Sequence, residues 1–476
     1  MKNKNLKLEP IPHNLVIIAW IMVLGIMAPM LDSTMVNIAV NQLSIDFHVS
    51  LSIVQWTVTG FILAMGAAVP FSSWLVMRFS GKSVYLWAEI AFGMASLLAG
   101  ISWNINGLII FRLIQGFAGG LLMPVMFTLL VDSVGGDRMG RMMAVIGLPM
   151  TLGPMVGPII GGLLVQYLSW RWIFFINVPV VIIAIILLIL KVPQVAPKNK
   201  SIKFDYFGVA LLIAISTTSI YGVVQASTKG TFNNTATLSY VGTGIFLAMI
   251  YVGYALLNSK RVVMPLHLFK QRHFSGSMLG IFLSGFVTSG PMLLLPLFFQ
   301  DIRGESVIVA AVSLIPQSIG MLVSRTAIGN LIDSLGARWV TIIGIAITLV
   351  GTIPFSYFDA SSHYLLIAIV MFIREVGGSA VKSATQADAY VGLDKVDSAA
   401  ASLSSNLFQQ IGAGFATAIL ATAVTTYTTT HHVVNVTQLA QAYHYGFMWS
   451  AIFVVSLIIP AMMLSRKRQT GGIKEL

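Results

Sequence analysis

The chain has no cysteine, and only 9% of its 476 residues are charged. The first absence excludes disulfides and thiolate metal sites. The second, beside 57% hydrophobic residues and a mean hydropathy of +0.87, excludes a soluble globular protein and indicates a polytopic membrane protein. Strand-type alternation is missing, so a transmembrane β-barrel is excluded too. Neither HExxH nor GxSxG occurs. SGKS at 80–83 lacks the first glycine of a phosphate loop, because Val76 holds that place, and it reads as a basic loop. With no catalytic constellation and no nucleotide site, the sequence predicts a transporter rather than an enzyme, without cofactor and driven by an ion gradient.

What is present is a series of apolar runs. They fall at 15–40, 51–76, 84–103, 107–131, 142–167, 172–190, 206–226, 238–258, 275–299, 307–332, 339–358, 364–388, 400–424 and 446–465. Each is long enough to cross a bilayer, which takes about 20 residues. The predicted class is an all-α membrane protein with fourteen transmembrane helices. MKNKNLKLEPIPHN resembles a signal-peptide n-region, but no small-residue cleavage site follows, so the first run reads as an uncleaved helix.

The formal charge of +12 reflects orientation rather than a nucleic-acid surface. With the N-terminus inside, cytoplasmic segments hold twenty-one Lys and Arg residues and outer loops only Arg171, Lys229 and Arg303. Both termini are therefore expected in the cytoplasm. GNLIDSLGAR (329–338) has a weak copy 256 residues earlier, where Ser73, Met77, Ser80 and Lys82 stand for Gly329, Asp333, Gly336 and Arg338. This repeat divides the chain into an N-terminal six-helix bundle (1–190), linkers with two inserted helices (191–274), and a C-terminal six-helix bundle with a basic tail (275–476).

Asp32 lies inside the first run, three residues after Pro29. A charge in hydrocarbon is costly and therefore a functional candidate, and Pro29 leaves the Gly25 carbonyl without its helical donor. Thr34, Asn37 and Asn41 add polar atoms along the following turns. Arg112 in the fourth run falls at a similar depth in the outer half. A nearby cation favours the ionised carboxylate and burial the neutral one, so an Asp32–Arg112 pair that opens and closes could carry protons. The alternative is a static ion pair. In the fifth run Gly153, Gly157 and Gly161 follow close-packing spacing, with Pro154, Pro158 and Gly162 beside them.

LDSTMVNIA (31–39), LIIFRLIQGFAGG (108–120), GPMVGPIIGG (153–162) and WRWIFFINVP (170–179) together resemble the fourteen-helix drug:proton antiporters of the major facilitator superfamily. The resemblance covers nearly the whole chain. It implies two six-helix bundles plus an inserted pair, alternating access, Asp32 and Arg112 as proton-coupling residues, and the glycine–proline stretch of the fifth helix as an outer seal. It implies Gly329, Asp333, Gly336 and Arg338 as a gating loop. The chain departs from the pattern at Asn41, where proline is usual, and at Ser73 and Met77. The expected activity is export of a hydrophobic, cationic compound in exchange for protons, by a monomer in a bacterial cytoplasmic membrane.

Candidate substrate contacts are Glu375, Asn37, Gln115 and Glu89. Glu375, Ser379, Lys382 and Gln386 share one face of the twelfth helix; either they line a wet cavity or they form an ion-pair network with Arg374. Glu89 either binds cationic substrate or pairs with an arginine near the cytoplasmic side. Competing readings are an exporter of another amphiphile (lipid precursor, peptide or siderophore), an intramembrane enzyme, and a channel. The cysteine-free background makes orientation testable. Lys229→Cys, Arg303→Cys and Asn435→Cys are expected to react with an impermeant thiol reagent added to intact cells, while Lys198→Cys and Arg468→Cys stay unlabelled. Labelling at position 198 from outside would overturn the orientation.

Overall fold

Hydrocarbon offers no partners to backbone N–H and C=O groups, so long apolar runs must satisfy them within helices. The computed structural model describes residues 12–49, 51–54, 56–134, 139–194, 205–229, 231–258, 262–393 and 395–466, and all regular structure among them is helical. Lys198 and Arg468 lie outside these residues, and the side chains of Asn41, Ser73, Pro154, Lys229 and Asp333 are likewise not described.

We number the long helices α1 (His13–Phe47), α2 (Trp56–Arg78), α3 (Gly81–Gly100), α4 (Ile105–Val134), α5 (Met139–Tyr167), α6 (Asn177–Lys191) and α7 (Tyr206–Lys229). There follow α8 (Thr235–Leu257), α9 (Arg272–Leu297), α10 (Ile315–Leu335), α11 (Ala337–Thr352), α12 (Tyr364–Asp388), α13 (Lys395–Thr430) and α14 (Val436–Ser456). Among the described residues, 12 helices are long and apolar enough to cross a membrane. Of the other two predicted runs, 142–167 falls on α5, of 29 residues, and 307–332 is divided between a helix at Val307–Ser313, of 7 residues, and α10, of 21. For those two, the predicted crossing rests on helix length.

Helix α1 packs on α5 and α6, α2 on α4, and α3 on α4 and α6. In the second half α9 packs on α12 and α13, and α12 also on α10 and α11. The halves meet where α2 touches α13 and α5 touches α10. Backbones come very close inside each half. A Cβ added at Gly116 would lie 2.2 Å from the Phe61 carbonyl oxygen, so α2 and α4 touch main chain to main chain.

The inserted helices α7 and α8 pack on each other, and α7 also lies against α2 and α13 at the seam between halves. Asp205 fastens this pair. It accepts bonds from the Gly208 N–H at 2.8 Å, the Tyr254 hydroxyl at 2.6 Å and the Val263 N–H at 3.3 Å.

The loop candidates are structural at close range. Lys82 donates to the carbonyls of Ile189 (3.0 Å) and Val192 (2.6 Å), satisfying the open C-terminal end of α6. Gly336 joins α10 to α11 with φ of 85°, a conformation that favours glycine. The Arg338 N–H donates to Ser465 O at 3.1 Å, and its guanidinium meets Met462 Sδ. Gly329 faces open space.

Candidate functional site

Asp32 and Arg112 meet. Arg112 Nη1 donates to Asp32 Oδ2, and Asn177 Nδ2 donates to Oδ1 at 3.0 Å. Arg112 Nε donates to Thr57 O at 2.8 Å and Nη1 also to Gln115 Oε1 at 3.2 Å. Gln115 Nε2 in turn donates to Ser96 Oγ at 2.7 Å. The guanidinium lies over the Phe61 ring, 4.0 Å from its centroid. Asp32 and Gln115 are 0% exposed, Arg112 and Asn177 1%.

Both Asp32 oxygens therefore receive donors. A proton on either oxygen removes the charge that these donors bind and weakens both bonds, which links proton uptake to release of Arg112 or Asn177. Asn177 had a sequence signal, since it lies in WRWIFFINVP, but nothing in that stretch indicated that it would reach Asp32. Phe61, Ser96 and the Thr57 carbonyl carried no signal at all.

The glycine stretch of α5 packs on the turns of α1 that flank Asp32. A Cβ at Gly157 would meet Thr34 Oγ1 at 1.9 Å and Leu31 O at 3.1 Å; one at Gly161 would meet Met35 at 3.0 Å. Gly153 faces Met27 and Met30, Pro158 is half-buried, and Gly162 has nothing within 4 Å. Any shift of α5 is thus felt at the Asp32 turn.

Three tentative substrate contacts sit differently from their expectation. Gln115 is locked in the Arg112 network. Asn37 is exposed, but its amide reaches only Ser33 O of its own helix, at 3.4 Å. Glu89 is 0% exposed, and neither of its oxygens has a hydrogen-bond partner among the described residues. Its carboxyl presses on Gly25, where an added Cβ would fall 1.8 Å from Oε1. It is therefore sealed from substrate in this conformation, and no arginine pairs with it among the described residues, because α1 closes over it.

Glu375 lies in a cluster dominated by cations. Arg374 Nη2 donates to Val287 O, while Nη1 is 3.9 Å from Glu375 Oε2. Pro291 explains the acceptor: its ring leaves the Val287 carbonyl without a helical donor. Gln317 of α10 and Lys382 flank Glu375, and Arg325 of α10 lies near Lys382. One turn further along, Gln386 donates to Gln409 of α13 at 3.2 Å. Arg374 and Glu375 thus pair as in the network reading, on a polar α12 face turned toward α10 and α13.

A family model described as Major Facilitator Superfamily matches residues 22–417. The chain belongs to that superfamily. As a major facilitator it is a membrane transporter and not an enzyme. It is 33% identical over 339 residues to a multidrug resistance protein B homolog of Mycobacterium tuberculosis, covering 71% of this chain and 63% of that protein. The chain thus spans less than two thirds of that relative's length. It is 29% identical over 457 residues to the probable transport protein HsrA of Haemophilus influenzae, covering 94% and 96% of the two chains. The fold is similar to that of the human organic anion transporter MFSD10, with TM-score 0.64 and 12% identity over 96% of this chain and 100% of that one.

Two packing tests follow. Gly157→Ala is expected to part α1 from α5 and abolish transport while the protein still inserts, whereas Gly162→Ala behaves like the parent. Adding Thr34→Ala to Gly157→Ala is expected to restore part of the rate; failure to do so would place the defect elsewhere than this contact. Gly25→Ala is expected to lower thermal stability by about 1–3 kcal/mol through overpacking, and Glu89→Ala in the same chain to recover part of the loss. Additive losses, read by thermal unfolding in detergent, would contradict the contact.

Proposed function

We propose that this major facilitator exports amphiphilic, drug-like compounds across the cytoplasmic membrane in exchange for protons, with both termini inside. Two bundles, α1–α6 and α9–α14, rock around a site between them as a monomer. Asp32 is the proton carrier, Arg112 and Asn177 bond its carboxyl oxygens, and the α5 glycines transmit bundle movement to it. The observation that carries this reading is the fully buried Asp32–Arg112–Asn177 network, whose bonds weaken when the carboxylate loses its charge. The relatives named for multidrug resistance support the export direction and the substrate type.

The second reading, export of another amphiphile, is favoured on one point. Cation selectivity would need an available carboxylate, yet Glu89 is sealed and Glu375 has Arg374 and Lys382 beside it.

The test uses proteoliposomes with an imposed pH gradient and a panel of fluorescent amphiphiles of different charge. The parent is expected to move at least one probe uphill. Asp32→Asn is expected to lose uphill movement and keep exchange of labelled for unlabelled probe without a gradient. Uphill movement by Asp32→Asn would remove the coupling role from this residue.

A further inference from the structure

Among the described membrane-spanning residues, cations and carboxylates are unevenly divided between the halves. In the N-terminal half Arg112 is matched by Asp32. In the C-terminal half Arg325, Arg374 and Lys382 surround one carboxylate, Glu375. Arg374 finds a backbone carbonyl, that of Val287, where Arg112 finds a carboxylate. A carbonyl dipole satisfies a donor but does not neutralise a charge.

The donors left over are specific. Arg374 is 1% exposed, and its Nε and Nη1 have no hydrogen-bond partner; nor does Ser379 Oγ, at 7% exposure. Arg325 and Lys382 are partly buried and form no hydrogen bond or ion pair among the described residues. A surplus of positive charge in hydrocarbon is costly unless a counter-charge enters. The cluster lies on the α12 face turned toward α10 and α13, both of which touch the N-terminal bundle.

We infer that Arg325, Lys382 and Ser379 form a binding site for the oxyanion head group of an amphiphile, a carboxylate or phosphate, whose apolar body lies between the bundles. Glu375 neutralises Arg374, and the other two cations await the ligand. This deepens the proposed export function by assigning a substrate charge. Binding is measured at equilibrium without a proton gradient, so its failure is distinguishable from failure of proton coupling.

The experiment is equilibrium binding to the purified full chain in nanodiscs of phosphatidylcholine. Three dansyl probes share one alkyl chain and end in a carboxylate, a neutral amide or a trimethylammonium group. The carboxylate is expected to bind about tenfold or more tighter than the amide, with the preference shrinking at high salt, and the trimethylammonium weakest. Arg325→Gln and Lys382→Gln are expected each to remove most of that preference, read as the ratio of carboxylate to amide affinity, while thermal unfolding of each variant reports correct folding. Glu375→Gln is expected to strengthen carboxylate binding, because it removes the only negative charge of the cluster. A preference for trimethylammonium that Glu375→Gln abolishes would overturn the inference, as would a carboxylate preference indifferent to Arg325 and Lys382. Adding phosphatidylglycerol to the nanodiscs separates the sources. Competition that depends on Arg325 and Lys382 assigns the oxyanion to lipid; its absence assigns it to the transported compound.

Discussion

The N-terminal half is organised by one buried ion pair. Breaking such a pair by removing a partner costs about 3–5 kcal/mol, because the remaining charge is stranded away from water. Here the pair draws in Asp32 from α1, the Thr57 carbonyl from α2, Ser96 from α3, Arg112 and Gln115 from α4 and Asn177 from α6. The sixth helix, α5, joins through its glycines, which rest on α1 beside Asp32. A movement of any of these helices alters the surroundings of one carboxylate. That is the physical condition for linking a proton to a conformational change, and it requires no more than two arrangements of the same donors.

The second half repeats the architecture without repeating the electrostatics. In both halves an arginine crosses to the first helix of its bundle, Arg112 to α1 and Arg374 to α9. In both, a proline in that first helix frees a carbonyl one turn earlier. Glu89 is buried against the α-carbon of Gly25, and the freed carbonyl of Val287 receives Arg374. The result is a division of labour: a neutralised, sealed pair suited to protons in one half, and an excess of cations near the bundle seam in the other.

Much of this was legible in the sequence because membranes impose simple constraints. Run length, the Lys and Arg count and four motifs were enough for an all-helical major facilitator, and the cost of charge in hydrocarbon singled out Asp32, Arg112 and Glu375. What stayed hidden depends on rotation about helix axes and on which turns face one another. Asn177 lies 145 residues from Asp32 along the chain; only the packing of α6 on α1 brings it there. The sequence leaves Glu89 as a substrate contact or an arginine's partner, because periodicity says nothing of a glycine on another helix that receives its carboxyl. Arg325 belongs to no motif, and only the packing of α10 on α12 brings it near Lys382.

The central claim is that substrate and proton compete through Asp32. It is tested most directly by proton release from the purified protein in weakly buffered detergent solution as a bound probe is added, for the parent and for Asp32→Asn. The account predicts that the parent releases protons in proportion to probe bound and that Asp32→Asn binds the probe with release lost. Equal release per bound probe from both proteins would contradict it.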